Sequence, residues 1–263
     1  MLYPELPFLE RFSAAARDGF EAVEYLFPYA YAPEQIQAEL RANRLKTVLI
    51  NSPPGDWQAG ERGLAALPGR EAAFREALDC AISYALELNC PQVHLMAGLE
   101  VAGEDPVQQA KQRQAMRECY LANLRDAAKR LAKARIRGLI EPINPRDIPG
   151  YFLNRVDLAV ATLDEIGSDA LALQLDLYHC QIVHGDLSKN LERYGTRAAH
   201  MQIASVPQRH EPDTGEINYA YLFDLIDQLG YKNWIGCEYR PADPSPGGTS
   251  RGLGWMRRLK ACR

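Results

Sequence analysis

The feature that most constrains this chain is a design repeated four times in its second half: a short apolar run carrying one oxygen-bearing side chain near its end. Gly138-Leu139-Ile140-Glu141-Pro142-Ile143-Asn144 ends in a carboxylate followed at once by a proline. Leu173-Gln174-Leu175-Asp176, His200-Met201-Gln202-Ile203 and Ile235-Gly236-Cys237-Glu238-Tyr239 repeat the design with Asp176, Gln202 and Glu238. Runs this short fit strands buried on both faces, as in parallel sheets. Loops that carry chemistry emerge from the carboxyl ends of such strands.

Helical patterns separate the runs. Residues 6–18 have apolar side chains at helical spacing and stop at Gly19; helices are also predicted over 33–43, about 71–88, about 106–133, 155–166, 186–194 and 219–229. The strands begin near 22, 47, 92, 138, 173, 200 and 235. Their separations suit repeated βα units, and the fold class is α/β, a (β/α)8 barrel. Seven strands are found where such a barrel has eight. The shortfall lies at the N-terminus, where Met1–Pro7 holds two prolines and leaves little room for a central strand. The first strand is therefore expected to be missing from this chain. The one Pro/Gly/Ser-rich stretch, Pro241 to Gly252, follows the last strand, so residues 1–263 read as one domain. The long stretch from Ser52 to Arg70 reads as either a lid or a flexible insertion, and Trp57, Leu64 and Leu67 favour a packed loop.

Charge and composition narrow the function. A net charge of −4 gives no footprint for nucleic acid or an anionic membrane, and no apolar run approaches a membrane span. The expected partner is a small molecule; oligomeric state is left open. The six cysteines (80, 90, 119, 180, 237 and 262) contain no Cys-x-x-Cys pair, which points to reduced thiols and a cytoplasmic location.

Side chains alternate along a strand, so if Glu141 points into the barrel mouth, Asp176, Gln202 and Glu238 can do so as well, with Cys237 and Tyr239 facing the helices. Two glutamates, an aspartate and an amide oxygen form an all-oxygen set suited to Mg2+ or Mn2+ rather than Zn2+. Crowded carboxylates also call for a cation. Taken singly, each acid reads equally as a helix cap or a surface group. Around the four stand His179, Arg209, Glu24 and Glu216. His179 follows Asp176 by three residues, and Arg209 suits a substrate carboxylate. Glu24 lies on the first strand and is alternatively a structural hydrogen bonder. Glu216 alternatively begins the helix after it. His94 and Met96 read as lining, His200 as an interior histidine.

Seven segments in order carry a resemblance: 20–29 (FEAVEYLFPY), 54–63 (PGDWQAGERG), 67–71 (LPGRE), 140–144 (IEPIN), 174–179 (QLDLYH), 210–219 (HEPDTGEINY) and 236–239 (GCEY). Together they resemble the hydroxypyruvate isomerase family, which belongs to the xylose isomerase-like TIM barrels. The similarity runs from about residue 8 to about 258. It implies that Glu141, Asp176, Gln202 and Glu238 hold a divalent metal and that Glu141 and Glu238 are the proton carriers. The reaction implied is an aldose–ketose shift through an enediolate, on hydroxypyruvate or on a four-carbon 2-oxo-tetronate. Segment 140–144 is similar to the hydroxypyruvate enzymes, and 88–98 and 173–176 to the 2-oxo-tetronate ones. The resemblance also implies that the chain enters downstream of the family's first strand.

Three other readings stand beside this one. A related sugar epimerase would use the same set. A nuclease of the endonuclease IV type needs a histidine-rich zinc centre and a basic groove, which five histidines and a −4 charge do not supply. A catalytically inactive sugar-binding homologue would have no reason to keep a stoichiometric metal.

Overall fold

Seven parallel strands, β1 (Ala22–Tyr25), β2 (Lys46–Asn51), β3 (Gln92–His94), β4 (Arg137–Ile140), β5 (Leu171–Asp176), β6 (Ala198–Ile203) and β7 (Ile235–Cys237), pair in sequence order. These come from a computed structural model that describes residues 1–101, 103 and 105–261; Cys262 lies outside them. Parallel strands need crossovers, and here each crossover contains a helix. The helices are α1 (Glu10–Arg17), α2 (Pro33–Asn43), α3 (Glu71–Glu87), α4 (Pro106–Ala134), α5 (Val156–Ile166), α6 (Leu177–Val183), α7 (Leu187–Tyr194), α8 (Tyr219–Gln228), α9 (Gly248–Gly252) and α10 (Gly254–Ala261).

Local chemistry sets the element ends. Asp105 caps α4 by accepting from the backbone N–H groups of Val107 (2.8 Å) and Gln108 (2.9 Å), and Pro106 takes the first helical position, where no N–H is needed. The expected helix over 6–18 begins only at Glu10; residues 6–9 form turns, although Leu6, Phe8 and Leu9 still pack on the core. Helix α6 was not anticipated. It starts immediately after the β5 tip, where Asp176 Oδ1 accepts from Tyr178 N–H at 2.8 Å.

The main core lies between the sheet and the helices. Inside the barrel a separate small cluster, Leu49, Leu139 and Ala199 with Ala172, packs beneath the carboxyl ends of the strands. Residues 52–70 form a packed rim rather than a loose insertion. The N–H groups of Ala65 and Ala66 bond to the carbonyls of Met96 (3.2 Å) and Ala97 (2.7 Å), which ties the rim to the segment after β3. Gly63, at φ +117, is required there, because a Cβ would lie 2.4 Å from Met96 O. Arg62 stacks 3.8 Å over the Trp57 ring, and Arg70 pairs with Glu61.

β1 and β7 are the two edges of the sheet. Residues 1–7 form no strand and hold a turn at 4–5, so no eighth strand is present among the described residues, as the strand count anticipated. Between the edges is a largely apolar cavity of about 790 Å³ that opens onto Glu24, His200, Gln202 and Glu238. No helix among the described residues is long and apolar enough to cross a membrane.

Candidate active site

The sheet register brings the four tips together. Asp176 on β5 lies opposite Gln202 on β6, and His94 on β3 lies opposite Leu139 on β4. Glu141, two residues beyond Leu139, therefore emerges on the same face as His94, with His94 Nδ1 3.6 Å from Glu141 Oε2. Glu238 directly follows β7 and is fixed there by its N–H bond to Ile203 O at 3.2 Å. Glu141, Asp176, His179 and Glu238 each present one ligand atom, and these atoms all lie within 4.8 Å of one another.

The helix-cap reading of Asp176 is realised on one oxygen, and the other oxygen stays free of it. Oδ1 caps α6, and Oδ2 is buried without a hydrogen-bond partner, 3.5 Å from both His179 Nε2 and Arg209 Nη2. Glu141 Oε1 is likewise buried and unpartnered, 3.9 Å from His179 Nε2. Bare carboxylate oxygens in a dry interior are costly, and a divalent cation is the partner that suits them.

Gln202 is oriented by its neighbours. Its Nε2 donates to Glu24 Oε1 at 2.8 Å and its Oε1 accepts from Gln174 Nε2 at 2.6 Å, which leaves one lone pair of that oxygen for a ligand. Arg209 spans the mouth. Nη2 meets Glu238 Oε2 at 2.7 Å, Nη1 meets Asp147 Oδ2 at 2.7 Å, and the guanidinium lies 4.7 Å above the Tyr178 ring. Tyr178 in turn donates to Asp147 Oδ1 at 3.0 Å.

Burial first, then the charges of Glu238 and Asp176, hold the Glu141 carboxyl well above the usual carboxylate range. Burial pushes Asp176 up to about 7, although Arg209 opposes it. His94 is pushed down to about 3 by burial, and His179 is lowered by burial and by the positive charge of Arg209. Both imidazoles are thus neutral at physiological pH. Burial alone would weaken the charge of Arg209, but Glu238, Asp176 and Asp147 together hold it firmly protonated.

Glu24 reaches the barrel interior but stays beneath the cluster, joined to His200 Nε2 at 2.5 Å and to Gln202. Its reading as a structural hydrogen bonder is the one its bonds support. Glu216 is exposed, its carboxylate accepts from Gln181 Nε2 at 3.0 Å, and it is not among the residues whose ligand atoms converge; Asn218 caps α8. His94 stands against Glu141, closer to the chemistry than a lining residue. The sequence reading passed over Asp147, Asn144 and Gln174. Gln174 was accessible from its shared parity with Asp176, whereas Asp147 and Asn144 lie in the turn after β4, where spacing gives no signal.

The sequence profile of the family described as "Xylose isomerase-like TIM barrel" matches residues 12–259. The chain belongs to this family. Within the xylose isomerase-like TIM barrels it is 53% identical over 257 residues to the 2-oxo-tetronate isomerase of Cupriavidus necator, covering 98% of this chain and 95% of that protein. It is 46% identical to a putative hydroxypyruvate isomerase of Homo sapiens, covering 97% of this chain and 91% of that one. The crystal structure of an AP endonuclease, family 2, from Brucella melitensis superposes with a TM-score of 0.91 at 46% identity, covering 97% of this chain and 95% of that chain.

Proposed function

We propose that this protein is a metal-dependent isomerase of a small keto or aldo acid sugar, interconverting hydroxypyruvate and tartronate semialdehyde through an enediolate. The observation that carries the proposal is the convergence of Glu141, Asp176 and Glu238 at three strand tips, with bare oxygens on Glu141 and Asp176. The donor set fits Mg2+ or Mn2+, held by Glu141, Asp176, Gln202 and Glu238. When bound there, a divalent cation supplies Lewis acidity that polarises the substrate carbonyl and the neighbouring hydroxyl and so acidifies the C–H between them.

The protein's own residues do the rest. One of Glu141 and Glu238 removes a proton from C3 of hydroxypyruvate, leaving an enediolate across C2 and C3. A proton is then delivered to C2, and the hydroxyl proton passes from O3 to O2, so the product is the 3-aldehyde with a C2 hydroxyl. Arg209 faces the cluster as the cation for the substrate carboxylate. The burial of Glu141 and Asp176 keeps bulk water from the enediolate. The reaction needs only a small-molecule substrate, and reduced cysteines suit the cytoplasm.

The 53% identity to a 2-oxo-tetronate isomerase favours a second reading on a four-carbon acid by the same chemistry. A panel assay with Mg2+ or Mn2+ divides the two. Turnover of hydroxypyruvate above that of 2-oxo-tetronates supports the first reading, the reverse order supports the second, and no turnover of either defeats both.

A further inference from the structure

His179 presents Nε2 to two buried carboxylates, so the location of its single ring proton decides what it can do. Nδ1 faces two donors. The backbone N–H of Asn144 points at it from 3.4 Å, and the Asn144 side-chain amide lies 2.5 Å away. The amide could turn only by giving up what its oxygen holds, since Asn144 Oδ1 accepts from the N–H groups of Arg146 (2.9 Å) and Asp147 (2.8 Å) in the turn after β4. Asn144 is fully buried, so no water replaces those bonds. The nitrogen of that amide, not the oxygen, is therefore the atom against His179.

From this arrangement we infer that Asn144 is a positioning residue that locks His179 as the neutral Nε2–H tautomer, with its N–H aimed between Glu141 Oε1 and Asp176 Oδ2. A proton on Nδ1 would face two buried N–H groups with no acceptor. His179 is then a hydrogen-bond donor at the edge of the metal set and not a fourth metal ligand, despite lying within the same 4.8 Å cluster. A donor there serves an oxygen that gains negative charge, as an enediolate oxygen does. This role rests on the isomerase reading; the tautomer itself does not.

The test is 15N spectroscopy of histidine-labelled protein, with the His179 signals assigned from their loss in His179→Gln. In the wild type, Nδ1 is expected to show the shift of a bare ring nitrogen and Nε2 that of a protonated one, unchanged on adding Mg2+. Asn144→Asp keeps an oxygen for the 146–147 turn but replaces the donor with an acceptor, so the proton is expected to move to Nδ1. In that variant kcat should fall about 10- to 100-fold, the range usual for residues that orient a ligand histidine or its neighbours, with less change in KM. A wild-type His179 protonated on Nδ1, loss of the Nε2 proton on adding Mg2+, or an unchanged tautomer in Asn144→Asp would each overturn the assignment. A switched tautomer with undiminished kcat would overturn the positioning role. The expected spectra in a protein that turns over none of the acids would uphold the tautomer while defeating the isomerase reading.

Discussion

Arg209 Nη2 lies 2.7 Å from Glu238 Oε2, whereas Glu141 Oε1, across the same cluster, has no hydrogen-bond partner. The two candidate proton carriers therefore sit in unlike surroundings: one shares a guanidinium, and the other is raised by burial and by its acidic neighbours. Two carboxylates whose environments are pushed apart are a recurrent basis for dividing acid and base roles. The asymmetry comes from the loop after β6, which delivers Arg209 to the β7 side of the mouth.

Replacing either carboxylate by its amide removes a proton carrier while keeping shape. Glu141→Gln and Glu238→Gln should each fold normally and lose about 10²-fold or more in kcat, the usual size of general acid–base effects. Steady-state kinetics beside a circular-dichroism melt provides the check. Full activity in both variants would rule out the two-glutamate mechanism.

Metal binding should show as stability as well as rate. Dialysis against a chelator is expected to abolish turnover, and Mg2+ or Mn2+ at about 100 times its Kd should restore it and raise Tm by roughly 5–10 °C for a chain of this size. The rise should vanish in Asp176→Ala, which removes the bare Oδ2 together with the α6 cap. An undiminished rate in protein shown metal-free by elemental analysis would reject the metal assignment.

The fold and the four tips were readable because both follow from local rules. Buried parallel strands are short apolar runs, and the alternation of side chains decides which residues share the barrel mouth. The parity that placed Glu141, Asp176 and Glu238 together also placed Tyr239 on the helix side, where its hydroxyl accepts from Trp255 Nε1 at 3.2 Å. What local rules do not contain is where a loop side chain goes once it leaves the strand. Glu216 and Arg209 flank the same segment and look equally chemical in sequence, yet one turns outward to Gln181 and the other inward to Glu238. Asn144 was visible within a motif, but its role depends on a bond to a residue 35 positions away.

The raised Asp176 pKa has a definite sign for stability in chelator-treated protein. The folded value of about 7 lies above the ordinary 3.8, so between these pH values the native state holds a proton that the unfolded state has released. The stabilising contribution is complete below about pH 4 and is lost as pH rises through 7. Asp176→Asn cannot ionise there, so its unfolding free energy relative to the wild type should climb between about pH 4 and pH 7, by up to about 1.4 kcal/mol per pH unit, and level off above that. Saturating Mg2+ should flatten the difference by stabilising the ionised wild type. A difference in unfolding free energy independent of pH without metal would show that Asp176 titrates normally.

Glu24 crosses the barrel to His200 and Gln202 only because Gly236, on the intervening β7, has no side chain: a Cβ there would lie 2.3 Å from Glu24 Oε1. Both carboxylate oxygens are held, so Glu24 has no easy retreat. Gly236→Ala should cost about 1–3 kcal/mol, the usual range for overpacking a filled site, and should weaken turnover by displacing Gln202. Shortening the partner in Gly236→Ala/Glu24→Ala relieves the clash, so the double variant should be less destabilised than the sum of the two single changes by about 0.5–3 kcal/mol. Denaturant melts of the four proteins in the cycle measure this coupling. Strict additivity would mean that Gly236 is tolerant and that Glu24 is free to move aside.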